Sequence, residues 1–369
     1  MKKTMMEIYP FINVSNNPEL FKLLLDYANK NNILLKLDEK DNNGNYQFIK
    51  IYNCHKSFKL LLDYAIKNNI LLKLNEKGND GNHQFLKVIY NPKSFKSLLD
   101  YANESNITLE LNEKNDNGDF SFLLTSYNSK SFKFLLGYAI KRNILLKLNE
   151  KDDNGNYPFV EVYHNTKTLQ LLLNYANKSN ITLKLNEKND NGYYLLFKVS
   201  ENPKSIKLLV DYANKNNIIL ELNNKIIGGD YPILKAANNA ESAKLLIEYA
   251  TKHNIILELN EKNTTDNYPL LEAANNVESL KLIIDYATKN NIILKMNYRS
   301  MSGNYPLLRA SYNVESVKLL IDYATKNNII LEMNEKNKLL DYPLLKGANN
   351  FEILKIFNWL CNEKLLIHF

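Results

Sequence analysis

Residues 268–304 read YPLLEAANNVESLKLIIDYATKNNIILKMNYRSMSGN, and residues 305–341 read YPLLRASYNVESVKLLIDYATKNNIILEMNEKNKLLD. The second stretch repeats the first with a period of 37, and the same period runs outward in both directions. A tyrosine in an Asp-Tyr-Ala-like tripeptide falls at Tyr27, Tyr64, Tyr101, Tyr138, Tyr175, Tyr212, Tyr249, Tyr286 and Tyr323, always 37 apart. A second column runs through Tyr9, Tyr46, His83, Phe120, Tyr157, Tyr194, Tyr231, Tyr268, Tyr305 and Tyr342. With that column as position 1, repeats begin at 9, 46, 83, 120, 157, 194, 231, 268, 305 and 342, and the last is truncated. No insertion or linker interrupts them, so residues 1–369 are expected to form a single repeat array rather than two or three separate cores.

Position by position, the repeat predicts two helices. Every proline occupies position 2 (Pro10, Pro158, Pro232, Pro269, Pro306, Pro343) or position 10 (Pro18, Pro92, Pro203). Proline suits the first residue of a helix, where its missing N–H has no intrahelical partner to lose. Position 9 is Asn in nine of ten repeats, a preferred N-cap. The second helix, from position 10 to about 23, carries apolar residues at positions 13, 16, 17 and 20, the stripe of a helix packed on a core. Positions 15 and 19 extend the apolar surface to a second flank, as in a helix sandwiched between neighbours. Lys318, Asp322 and Lys326 typify the remaining, solvated face, with charges at i, i+4 spacing. After the helix, the alternation of Ile255, Leu257 and Leu259 predicts a short strand, and Gly at position 36 in seven of nine repeats predicts a turn or hairpin.

These residues resemble the ankyrin repeat. Asn149-Glu150-Lys151-Asp152-Asp153-Asn154-Gly155-Asn156-Tyr157-Pro158 keeps the order of that family's hairpin and helix start. Tyr231-Pro232-Ile233-Leu234-Lys235-Ala236-Ala237 and Tyr268-Pro269-Leu270-Leu271-Glu272-Ala273-Ala274 extend the match, and Lys281-Leu282-Ile283-Ile284 matches the second helix. The departures are Tyr in place of the family's Thr, Leu in place of its His, a shorter turn between the helices and a longer second helix and exit. The resemblance implies a mostly α, elongated ankyrin-like solenoid of about ten helix-turn-helix plus hairpin repeats. It also implies a non-catalytic protein-protein interaction scaffold or adaptor.

Composition narrows the function classes. Cys54 and Cys361 are too far apart for a disulfide framework or a zinc site, so a reducing, cytoplasmic setting is expected, with the nucleus also open. Glu7 interrupts the start of the chain and no long apolar run follows, so neither a secretory signal nor a membrane span is expected. The five histidines, His55, His83, His164, His253 and His368, have no metal spacing, and the carboxylates recur as scaffold columns. No phosphate loop, nucleophile elbow or zinc motif is present. These observations argue against an enzyme, a cofactor, a metal or a small-molecule substrate. A net charge of +7 over 369 residues is a weak field, which argues against a nucleic-acid partner. A nucleic-acid-binding α-solenoid and a purely structural spacer stand as the alternatives to a protein partner.

Most of the 24 tyrosines belong to positions 1 and 19 and are expected in stacked core ladders, hydroxyls outward. Others fall at positions 7 and 8, the end of the first helix, where ankyrin repeats tend to present a concave binding surface. Tyr52, Tyr90, Tyr127, Tyr163, His164 and Tyr312 are therefore candidate partner-contact residues; the competing reading is that they fill space left by wider helix packing. Trp359, in the truncated repeat, is expected to close the end of the stack.

Overall fold

The computed structural model describes residues 4–362 and 367–368; the side chains of Cys361 and His368 lie outside the described residues. The chain divides into two compact units, Met1–Leu183 and Lys184–Phe369, each a stack of repeats. The first unit opens with strand β1 (Thr4–Glu7), helix α1 (Tyr9–Asn13), helix α2 (Pro18–Lys30) and strand β2 (Ile33–Lys36). The same helix pair recurs in each later repeat.

Second helices span positions 10 to 22 in nine repeats, from Pro18–Lys30 through Pro203–Lys215 to Val314–Lys326. Their starts obey the capping chemistry expected of position 9. The Asn17 side chain accepts from the N–H groups of Glu19 and Leu20 at 3.1 and 3.2 Å, and Asn239, Asn276 and Asn313 each cap in the same way. Cys54, the one exception at position 9, makes no such bond. The ends use a feature not anticipated from sequence. Position 24 is Asn in all nine complete repeats, and each has φ between +52° and +55°. In the second repeat Ile70 N–H bonds to Ala65 C=O at 2.9 Å and Asn69 N–H to Ile66 C=O at 3.0 Å. This is the paired closure of a Schellman C-cap, with Asn supplying the left-handed residue.

First helices are shorter and less uniform. Pro232–Ala236, Pro269–Ala273 and Pro306–Ala310 are α-helical, whereas Gln47–Ile51 and Gln84–Val88 are 3-10 turns. Gln84 stands where six other repeats have proline. Its buried amide accepts from Tyr46 N–H at 3.1 Å and donates to Gly44 C=O at 3.2 Å, tying two repeats together.

The segment after each second helix differs from expectation. Among the described residues it is a strand only as β2, which pairs in parallel with β1, and as β3 (Leu331–Glu332), which pairs in parallel with β4 (Ile367–His368). Elsewhere side chains take over the role of a neighbouring strand. Tyr101 Oη accepts from Leu72 N–H at 2.9 Å and donates to Ile70 C=O at 2.7 Å, one repeat back. Asn75 Nδ2 donates to Thr108 C=O at 2.8 Å and Asn75 Oδ1 accepts from Glu110 N–H at 3.2 Å, one repeat forward. In the second unit Tyr286 and Asn223 make the equivalent bonds. The apolar alternation that suggested a strand is real: Leu257 and Leu259 are buried. The main chain there is satisfied by tyrosine hydroxyls and asparagine amides, so no sheet ladder forms.

The position-1 tyrosines are staples too. Buried Tyr231 donates to Glu258 C=O and Glu261 C=O, and Tyr268 to Lys295 C=O and Tyr298 C=O. Burial pushes the Tyr194, Tyr231 and Tyr268 hydroxyls far above the ordinary phenol range, so they act only as neutral donors. The ladder hydroxyls thus turn inward to backbone rather than outward to water.

The exposed turns are hairpins held by position 33. Asp152 accepts from Asn154 N–H and Asn156 N–H at 2.9 and 2.8 Å, while Gly118, at φ +81°, lets the next hairpin come close. Asp153 N–H bonds to Gly118 C=O at 3.2 Å, and a Cβ on Gly118 would lie 2.2 Å from that of Asp153. Between the helices runs a continuous apolar layer, in the first unit Phe58, Leu61, Phe95, Leu98, Phe132 and Leu135, all fully buried. Each such side chain contributes about 1.5 to 3 kcal/mol by leaving water.

Candidate functional site

Several first helices have their ends fixed from below by the next repeat. In the first unit the position-7 carbonyls of Tyr52 and Ile89 accept the hydroxyls of Ser94 and Ser131 at 2.6 and 2.5 Å. Position 8 follows immediately; in the second repeat its Asn53 carbonyl accepts from the Asn91 amide at 3.2 Å. Tyr90 and Tyr127 are 72% and 69% exposed there, and His164 is exposed in the next repeat.

The structure brings three of the candidate residues together. Tyr127 and His164 stack with ring centroids 6.0 Å apart and planes at 23°, and Tyr163 meets His164 edge-on at 5.7 Å. Tyr90 occupies the same column one repeat earlier. Tyr52 is half-buried at position 7, with its main chain engaged by Ser94 and by the Asn91 amide. Tyr312, in the second unit, is 64% exposed, and Lys346 Nζ stands 5.6 Å from its ring centroid. Trp359 is 52% exposed at position 18, the outward column that carries Asp in most repeats, rather than tucked over the end of the stack.

Position 5, next to this column, was not singled out by sequence. In the second unit it carries charge and forms cross-repeat pairs: Lys235 with Glu201, a position-8 residue, at 3.3 Å, and Arg309 with Glu272, both at position 5, at 2.8 Å. Glu201, Asp230, Lys235, Asn263 and Glu272 border an open recess of about 290 Å³ between the hairpins and first helices. The signal was available in the sequence as a charged column, Lys198, Lys235, Glu272, Arg309, Lys346, whose sign reverses at Glu272.

A larger recess of about 370 Å³ lies between the second helices His55–Lys67 and Pro92–Glu104. It exists because Ser97 occupies position 15, where other repeats have Leu, Phe or Ile. Burial, and then Lys93, Lys59 and Lys96, hold the His55 imidazole below its ordinary range. Asp63, Asp100 and Glu104 share the lining with four lysines, so the recess is left with a single excess positive charge, and Lys96 is already paired with Asp100 at 3.2 Å. No nucleophile, base and orienting group converge there. Among the described residues no three His, Cys, Asp or Glu side chains are grouped to hold a metal ion, and no helix is long and apolar enough to cross a membrane.

No family model and no curated protein matches the chain. Among solved structures, the crystal structure of the ankyrin repeat domain of Bcl-3, a unique member of the IkappaB protein family, is similar at 17% identity and a TM-score of 0.41. That match covers 67% of this chain and 100% of the other. Hairpin, first helix, turn and longer second helix, recurring every 37 residues, make the fold of each unit a stack of ankyrin-like repeats.

Proposed function

We propose that this chain is a non-catalytic scaffold or adaptor that binds another protein. The reading takes the ten repeats across residues 1–369 as one array of binding modules and the position-8 column as the contact surface. The observation that carries it is the exposed aromatic run Tyr90, Tyr127 and His164 on three successive repeats. Large aromatic side chains held at the surface are the usual anchors of protein interfaces, because they bury much area for little lost entropy. Tyr163 supports His164 from the side, and Tyr312 marks a second contact in the other unit. A reducing, cytoplasmic setting belongs to the same reading, on the strength of two widely separated cysteines.

Affinity capture followed by mass spectrometry tests this. Partners recovered on the wild-type chain are expected to be lost on a Y90A/Y127A/H164A variant of unchanged helix content, since these exposed rings lie outside the buried apolar layer. Equal recovery by both chains refutes the position-8 surface. Retention on random-sequence RNA at physiological salt, with a steep salt dependence, replaces a protein partner with a nucleic acid.

A further inference from the structure

The first repeat leaves open a face that later repeats cover. From Tyr64 to Tyr323 the position-19 tyrosines are 1–4% exposed where the structure buries them, as with Tyr101 at 1% and Tyr286 at 4%; Tyr27 is 58% exposed. Position 16 is likewise fully buried from Leu61 onward, and position 12 is fully buried from Ser57 to Ser316, with Ser94, Ser131 and Thr168 donating to the preceding repeat. In α2 the corresponding residues are Leu20, Leu23, Leu24 and Tyr27, an i, i+3, i+4, i+7 stripe in which Leu20 is 48% and Leu23 63% exposed.

Two details separate this face from an ordinary end cap. Position 12 is Ser or Thr in repeats two to nine, yet here it is Leu20, so the open face is more apolar than the covered ones. Terminal repeats that end in solvent carry a polar outer face instead. Meanwhile β1 already fills the strand place of a preceding repeat by pairing with β2, so among the described residues it is the helix stripe that lacks a cover.

We propose that a second copy of this chain covers the stripe, the two α2 helices packing antiparallel about a two-fold axis. The stripe is self-complementary in that arrangement. With the axis between Leu23 and Leu24, Leu20 meets Tyr27 of the second copy and Leu23 meets Leu24. Charge agrees with the register. Glu19 and Lys30 are both exposed, and eleven residues, close to three helical turns, place them on the same flank of the stripe. Antiparallel pairing sets Glu19 about two residues, or about 3 Å along the axis, from Lys30 of the second copy, and the two-fold makes the contact twice. A head-to-tail chain is disfavoured at the other terminus: Asn358 sits exposed at position 17, where every earlier repeat has Leu, Val or Ile.

Sedimentation equilibrium of the full chain tests the proposal. The wild type is expected to rise with concentration to twice its 42.9 kDa and stop there. L23E, at an exposed position whose change leaves the repeat packing intact, is expected to remain at one chain mass with unchanged circular dichroism. E19K weakens association by about tenfold through two repulsive contacts, and E19K/K30E restores it. A wild type that stays at one chain mass up to tens of micromolar, or that grows past two copies without a plateau, overturns the dimer. L23E dimerising like the wild type overturns the stripe, and E19K/K30E remaining as weak as E19K overturns the antiparallel register.

Discussion

Replacing Tyr101 by Phe removes one oxygen and keeps the ring, so it isolates the tyrosine staple from the packing around it. That oxygen accepts from Leu72 N–H at 2.9 Å and donates to Ile70 C=O at 2.7 Å, both in the segment that has no strand partner. Leu72 is 4% exposed, so its N–H is left without water or protein; an unpaired buried donor costs about 1 to 3 kcal/mol. Ile70 is only half-buried and its carbonyl can reach water, so it adds a smaller amount. The expected loss is about 2 to 3 kcal/mol in local stability. Tyr27→Phe is the internal control: its hydroxyl bonds to nothing among the described residues and its side chain is 58% exposed, so a change within about 0.5 kcal/mol is expected.

Long repeat arrays need not unfold in one step, so the primary assay is native-state hydrogen exchange rather than a global melt. The Leu72 amide is expected to exchange about 30- to 150-fold faster in Tyr101→Phe, the rate equivalent of the local loss. Urea unfolding followed by circular dichroism provides the second reading. If Leu72 stays as protected as in the wild type and the two variants unfold alike, the segment is held by something other than tyrosine, and the account of why no sheet forms fails.

Two glycines predict opposite signs. Gly118→Ala places a Cβ 2.2 Å from Asp153 Cβ at φ +81° and is expected to destabilise by about 1 to 3 kcal/mol. Gly137→Ala, in the second helix Ser129–Lys141 with open space around it, is expected to stabilise by about 0.5 to 1 kcal/mol; thermal melts of both variants check the pair. Glu76 provides a pH test. Hydrogen bonds from Lys40, then from the Tyr46 hydroxyl at 2.6 Å, hold its carboxyl down at about 2. A depressed carboxylate stabilises the fold above its unfolded pKa and loses that contribution as pH falls towards 2. Glu76→Gln is therefore expected to lower the melting temperature at pH 7 and to make little difference at pH 2, and an equal effect at both refutes the ion-pair account.

How much of this was legible in the sequence depends on whether a group acts within its own repeat or on the next. Helix starts were legible, because the Asn17 cap and the Pro18 first turn are local chemistry with known preferences. The missing strands were not. Ile255, Leu257 and Leu259 alternate as a strand should, and only the arrival of Tyr286 Oη at Leu257 N–H, from 29 residues away, shows why no ladder forms. Of the candidate site, the sequence picked out Tyr90, Tyr127 and His164 as a varying column. It could not show that Tyr127, Tyr163 and His164 touch, because a ring contact between neighbouring repeats depends on their spacing and rotation.

The 60 asparagines acquire a physical meaning from these contacts. Position 9 needs a short acceptor for a helix start, and position 24 a residue that tolerates positive φ. Position 30 needs a donor and an acceptor on one side chain, to hold a C=O and an N–H of the next repeat together, as Asn260 does with Ile293 and Lys295. Asn meets all three demands; Asp lacks the donor, Gly the side chain, and Ser the reach. Position 8 makes the contrast. It is Asn in repeats one, two, seven, eight and ten, but Tyr90, Tyr127, His164, Glu201 and Tyr312 in the others. A column that accommodates a ring, an imidazole, a carboxylate and an amide is under no single packing demand, even though Glu201 pairs with Lys235 and Tyr127 stacks on His164 one repeat on. Its large exposed aromatics, rather than the uniform columns, are where we propose that a partner is recognised.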